Sequence, residues 1–400
     1  MNSKEQTYQQ RPPDRQVRYA VVGLGYISQI AVLPAFAHAG ENSELTALVS
    51  GDAEKLRKLG KKYGVSSERC YLYEAYDELL AGGQIDAVYI ALPNNMHCDY
   101  AVRAAQAGVH VLCEKPMAVT AEECLRMIET AQDNDVRLMI AYRLHFEQAN
   151  LEAIEIAQSG RLGDLRFFSS VFSMQVCEGN SRLQRDLGGG TLYDIGIYCI
   201  NAARYLFRDE PVEVFAVTAD SGDARFREVD ESTSAVLTFP GGRLAGFTSS
   251  FGSADTAHYR IVGTKGDLCV EAAYELAEPM RHRLTIQGRT KEKRFAKRDQ
   301  FAPELLHFSA CVLNGEPPGP SGEEGLADVR IIQALYESAQ KGRGIEMSPI
   351  EPPTRPAFDQ EILCPAVRKP RLINAHRPTE EAAETSERFG TSEALMSTRM

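Results

Sequence analysis

Five short apolar runs, "VRYAVVG", "ELTALV", "DAVYIAL", "VHVLC" and "RLMIA", recur between Val17 and Ala141, with amphipathic stretches such as 52–63 and 96–107 between them. Runs of this length and β-branched content read as strands buried on both faces, and their alternation with helical segments points to a doubly wound parallel sheet. Thr120 with Glu123 three residues on reads as a capping box at the start of one of those helices. Beyond about residue 160 the rhythm changes to closely spaced β-type segments ("LRFFSSVFSM", "VEVFAVTA", "STSAVLTF", "RLAGFTSSF", "HYRIVG", "GDLCVEA"). These predict a second α/β domain around a large, mostly antiparallel sheet with one apolar face. Helices are expected near 192–207, 304–313 and 323–341. The expected organisation is a polar N-terminal arm at 1–16, a doubly wound, Rossmann-type domain at 17–141, the second α/β domain at 142–345, and a loose Pro- and charge-rich tail at 346–400.

Asp and Glu outnumber Lys and Arg by 55 to 44, a net charge of −11. Nucleic acids and anionic membranes are bound mainly through positive charge, so neither is expected as a partner. No apolar run is long enough to cross a bilayer, and the polar start has no hydrophobic signal core, so a cytoplasmic location is expected. The nine cysteines form no C-x-x-C pair and sit mostly among apolar neighbours, which reads as buried thiols with neither disulfides nor a metal site.

Four segments at the carboxyl edge of the first sheet carry chemistry. Gly23, Leu24, Gly25, Tyr26, Ile27 and Ser28 follow the first strand and open a helix, the position of a dinucleotide fingerprint. Gly23 makes the tight turn, Gly25 admits the pyrophosphate, and the helix N-terminus favours an anion. At the end of the second strand stands Ser50, where an NAD site usually has an acid, with Lys55 one turn into the next helix. NADP is therefore preferred over NAD, with Asp52 the residue that argues the other way unless it merely caps that helix. After the fourth strand, Leu92, Pro93, Asn94, Asn95 and His97 are expected to line the cofactor, although Asn95 and His97 would also serve as ordinary helix-start residues. The fifth strand ends abruptly on Glu114, Lys115 and Pro116, which delivers a lysine to the ligand edge of the sheet. In the second half, "GGGTLYDIGIY" places Asp194 and Tyr198 four apart on one helix face. A tyrosine there is a packing aromatic unless a cation lowers its pKa enough for proton transfer, and Lys115 is the candidate neighbour.

Taken together, "AVVGLG", "ALVSGDAEK", "IDAVYIALPNNMH", "CEKPMAV", "LMIAYRLHF", "GGGTLYDIGIY" and "SGEEGLADVRIIQALYESA" resemble the Gfo/Idh/MocA oxidoreductase family, with its glucose-fructose oxidoreductase branch the nearest match. The resemblance implies that Lys115 is the catalytic lysine, that Asp194 orients substrate, and that Tyr198, which many members replace with histidine, exchanges the substrate proton. It also implies that Ser50, Lys55 and Tyr73 face the adenosine phosphate, and that Arg143 and Arg182 contact the cofactor. Two departures, Tyr26 in place of a basic residue and Ser181 in place of a tryptophan, are expected to loosen the cofactor.

The expected activity is NADP-dependent oxidation of a cyclic aldose at C1 to a lactone, with the hydride returned to a second sugar if the cofactor stays bound, by a homodimer or homotetramer. The alternatives are a dehydrogenase or reductase with freely exchanging cofactor acting on xylose or anhydrofructose, and a non-catalytic NADP-sensing regulator. His145 is the second candidate for the base.

Overall fold

The computed structural model describes residues 15–276, 278–348 and 355–379. The expected polar arm lies almost wholly outside them. Six strands, β1 (Val17–Val22), β2 (Ser43–Val49), β3 (Cys70–Tyr71), β4 (Ala87–Ile90), β5 (His110–Glu114) and β6 (Leu138–Ala141), form a parallel sheet in the order β3-β2-β1-β4-β5-β6. Alternate residues of β1 enter different cores. Ala20 and Val22 join one side, and Tyr19 and Val21 the other. That is why these strands carry unbroken apolar runs. The strand order reverses between β1 and β4, so their carboxyl ends open the crevice where such sheets bind ligands. The helices that follow are locally specified: Asp52 caps Ala53–Tyr63, and Thr120 and Glu123 form a reciprocal capping box on Ala121–Asp133.

The second domain is built on nine strands: β7 (Leu165–Gln175), β8 (Glu213–Ala219), β9 (Ser232–Phe239), β10 (Arg243–Ser250), β11 (Gly252–Gly263), β12 (Gly266–Glu271), β13 (Arg281–Ile286), β14 (Arg289–Arg294) and, after the short β15 (Arg298–Asp299), β16 (Ile345–Glu346). Their order is β14-β13-β12-β11-β7-β10-β9-β8-β16, antiparallel except for the β7–β10 pair. One edge, β14, reads RTKEKR and is exposed throughout, a charged rim that discourages pairing with another chain. The helices Ile197–Phe207 and Gly322–Lys341 cover one face, and the second also packs on Ala121–Asp133. The two domains therefore share one continuous core.

The tail differs from the expectation of a loose segment. β17 (Cys364–Pro365) pairs with β15, and the chain continues along the Rossmann domain to Thr379, which bridges to Val176. Nine cysteines are free and buried or half-buried, as expected. Among the described residues no helix is long and apolar enough to cross a membrane, and no cluster of His, Cys, Asp and Glu could hold a metal ion.

Candidate active site

The carboxyl ends of β1, β4 and β5 and the start of the helix Ile197–Phe207 meet at one cleft with a volume of about 630 Å³. Its floor is the Lys115–Asp194–Tyr198 group. Lys115 Nζ donates to the Asp194 backbone carbonyl at 2.7 Å and lies 3.5 Å from the Asp194 carboxylate. The same ammonium sits 4.6 Å from the centre of the Tyr198 ring, and the Arg143 guanidinium 5.2 Å from it. Asp194 also accepts from Arg182 Nε at 2.5 Å. Burial pushes the Asp194 carboxyl up, but the adjacent Arg182 and Lys115 charges outweigh it and hold the group below the ordinary carboxylate range. The helix opens with a wide π-type turn at Leu192–Gly196, a local distortion common at functional sites. Arg143 is fixed from behind by Gln300 and by the Tyr274 carbonyl.

Glu114 does not face the cleft as a free anion. It accepts from the Tyr89 hydroxyl at 2.9 Å, and burial raises its pKa even though Lys115 opposes the shift. A second buried carboxyl, Glu304, is pushed well above its usual range by burial and by Glu114. Through its bond to Tyr89, Glu114 braces the strand exit, and it lines the cleft together with Lys115.

The fingerprint loop separates into two roles. Gly23 has φ of +92° and packs its α-carbon against the Ala91 carbonyl, so a side chain there would be both strained and blocked. A Cβ built on Gly25 would meet nothing within 4 Å, which leaves backbone open for a pyrophosphate at the start of helix 26–35. Tyr26 and Ile27 line the cleft. Leu24 is in the core, and Ser28 donates to the Gly23 carbonyl at 2.5 Å, so it braces the turn from inside.

At the adenosine end, Lys55 lines the cleft. One Asp52 oxygen accepts from the amides of Glu54 and Lys55, and the other from Asn374. Its carboxylate is thus committed to capping and to the tail, which removes the argument against NADP. Ser50 is buried with its hydroxyl accepting from the Asp52 amide at 3.2 Å, and Tyr73 packs beside Gly51. Neither lines the cleft.

Leu92, Pro93, Asn94 and His97 do line it, and Asn94 donates to the Gly188 carbonyl at 2.8 Å. Asn95 is exposed and caps nothing. His97 is fully buried with its ring nitrogens 2.9 Å from the carbonyls of Pro116 and Leu92, a staple between two active-site loops. Burial lowers its pKa. Of the triple glycine, Gly188 and Gly189 line the cleft as well. Gly188 has φ of +78°, and a Cβ there would press on Val119 and Asn94, so this turn docks the two domains together. His145 is buried against Tyr142 with Nε2 on Asn201, and it does not reach the cleft. Phe172, Tyr274 and the tail residues Lys369, Asn374 and His376 also line the site. Sequence reasoning passed over them, although the absence of any acid between 362 and 379, against four Lys and Arg, was a visible signal.

A glycine turn for a pyrophosphate, a switch-point crevice, and a lysine and tyrosine brought from separate domains define a two-domain, dinucleotide-dependent oxidoreductase. Residues 17–142 match the model of an oxidoreductase family with an NAD-binding Rossmann fold, and residues 150–269 match the GFO/IDH/MocA C-terminal domain. The chain belongs to the GFO/IDH/MocA family of oxidoreductases. It is 34% identical over 339 residues to a D-xylose 1-dehydrogenase [NADP(+)] of Haloarcula marismortui, covering 83% of this chain and 93% of that one. The crystal structure of an aldose-aldose oxidoreductase from Caulobacter crescentus, complexed with glycerol, superposes with a TM-score of 0.80 at 39% identity, over 83% of this chain and all of that one. A 3-ketoreductase from Actinomadura kijaniata, in complex with NADP and TDP-benzene, gives 0.74 at 27% identity, over 81% and 98%.

Proposed function

We propose that this protein oxidises a cyclic aldose at C1 to the lactone with NADP, and that it can return the hydride to a second sugar. The observation that carries this reading is the Lys115 ammonium 4.6 Å from the Tyr198 ring, at the floor of a cleft whose other end is the Gly25 turn. Those residues fit a dinucleotide, with Gly25 open to the pyrophosphate and Lys55 at the adenosine end, where no free acid competes with a 2′-phosphate. The bound nicotinamide supplies the hydride acceptor. Tyr198 takes the proton of the C1 hydroxyl as the C1 hydride leaves, and C1 becomes the lactone carbonyl carbon. An ammonium has three donors; one of those on Lys115 is held by the Asp194 carbonyl, so another can meet the C1 oxygen and stabilise its developing charge. Arg182 and Lys115 keep Asp194 ionised, as an acceptor for a neighbouring sugar hydroxyl. For the return step, Tyr198 gives its proton to the second sugar's carbonyl oxygen.

The relatives that act on xylose and on aldose pairs support the substrate class. Incubation with NADP and a panel of aldoses should produce reduced cofactor and lactone. No reduced cofactor with any aldose, together with oxidation of NADPH by a nucleotide-linked ketosugar, would reassign the substrate. We also propose a homo-oligomer. Phe167, Phe215, Val236 and Leu244 on neighbouring strands leave an apolar patch on the uncovered sheet face, which a second copy would bury.

A further inference from the structure

The nine-stranded sheet is complete at Glu346, and 83% of this chain suffices to match the whole Caulobacter enzyme. Residues 355–379 follow the last strand of that sheet. They return to the cleft as a basic stretch. In a molecule of net charge −11, the stretch 362–379 has no acid and carries Arg368, Lys369, Arg371 and Arg377. Its path crosses the cleft from end to end. Gln29, on the turn that follows Gly25, accepts from the Ile373 amide and donates to the Ile373 carbonyl, both at 2.8 Å. Asn374 donates to Asp52 and Glu54 at the adenosine rim. Four residues later the Pro378 carbonyl accepts from the Cys177 amide at 2.9 Å, on the loop that leads to Arg182. The segment is thus tied to the fingerprint helix, the adenosine rim and the substrate domain, with Lys369, Asn374 and His376 facing the same cavity as Gly25 and Lys55.

We propose that residues 366–379 are a cofactor-binding strap that forms the outer wall of the dinucleotide site and retains NADP(H) between successive sugars. A basic segment over a cleft shaped for phosphates is electrostatically matched to its occupant. Its ties to both domains mean that a dinucleotide beneath it leaves only when they break. Retention is what a hydride exchange between two sugars requires, since the reduced cofactor must survive departure of the lactone. The inference rests on the assignment of NADP to this cleft and adds the segment that keeps it there.

The test is the release rate of NADPH from preloaded protein, without sugar, chased with excess NADP and followed by the loss of protein-enhanced nicotinamide fluorescence. Three proteins are compared: the full chain, a chain ending at Pro365 that keeps the β15–β17 pair, and the full-length double variant Lys369→Ala/Asn374→Ala. Release should be at least tenfold faster in both altered proteins, and faster in the full chain at high salt than at low salt. Equal rates in the full chain and the double variant would overturn the strap, even if the shortened chain fails to fold. The sugar assay is read separately. Faster release with no aldose oxidised by any of the three would retain the strap and discard the aldose reading. Lactone formation with unchanged release rates would do the reverse.

Discussion

Lys115 and Tyr198 reach one another from different domains, and each can be removed without emptying the core. Lys115→Ala leaves Glu114 and Pro116 in place, so cofactor binding should persist while turnover falls by about a hundredfold or more. Tyr198→Phe keeps the ring contacts to Phe172 and Tyr274, at centroid distances of 5.7 and 5.8 Å. It should lose a similar factor in turnover with an unchanged melting temperature. Steady-state kinetics beside a thermal melt checks both, and a phenylalanine variant with full activity would move the base elsewhere. The lysine was legible in the sequence because it ends a strand of a parallel sheet at the edge where ligands bind, in a domain that also carries a dinucleotide fingerprint; alone it would read as a solvated strand exit. Arg182 was legible only as a cofactor contact. Its ion pair with Asp194 joins residues twelve apart through a turn that no local pattern encodes.

Strand and helix alternation in the first domain was readable because each element has its own period and caps, Asp52 and Thr120 among them. The parallel β7–β10 pair was not, since strand order is set by tertiary packing and not by the composition of either strand. Two elements carry testable energetics. Arg204, on the helix Ile197–Phe207, is fully buried and pairs with Glu210, Glu324 and Asp328. Arg204→Met strands buried carboxylates and should cost about 3–5 kcal/mol in urea unfolding. On β13, burial and then the nearby Lys293 charge lower His282 to about 4, against a smaller opposing effect of the Ala149 backbone. Its folded pKa lies below the unfolded value, so its contribution is complete above about pH 6.5 and is lost as pH falls toward 4. Denaturation at several pH values should show that loss, and His282→Leu should flatten it.

At the scale of the molecule, the uncovered sheet face and the strap do different things with surface. Phe215→Lys together with Leu244→Lys places charge in the apolar patch, and light scattering should then give the mass of one chain where the unaltered protein gives a multiple of it. A single-chain mass for the unaltered protein would remove the oligomer. The strap's return to the cleft escaped the sequence reading because proline and charge usually mark loose segments, and the ties that order it are isolated hydrogen bonds to Gln29, Asp52 and Cys177. The proposed hydride path runs from sugar C1 to a nicotinamide held over Lys115 and Tyr198. Protein loaded with NADP and mixed with an aldose deuterated at C1 should, in a single turnover, yield deuterated NADPH and lactone by mass spectrometry. Reduced cofactor without deuterium, formed alongside sugar oxidised at another carbon, would contradict the account.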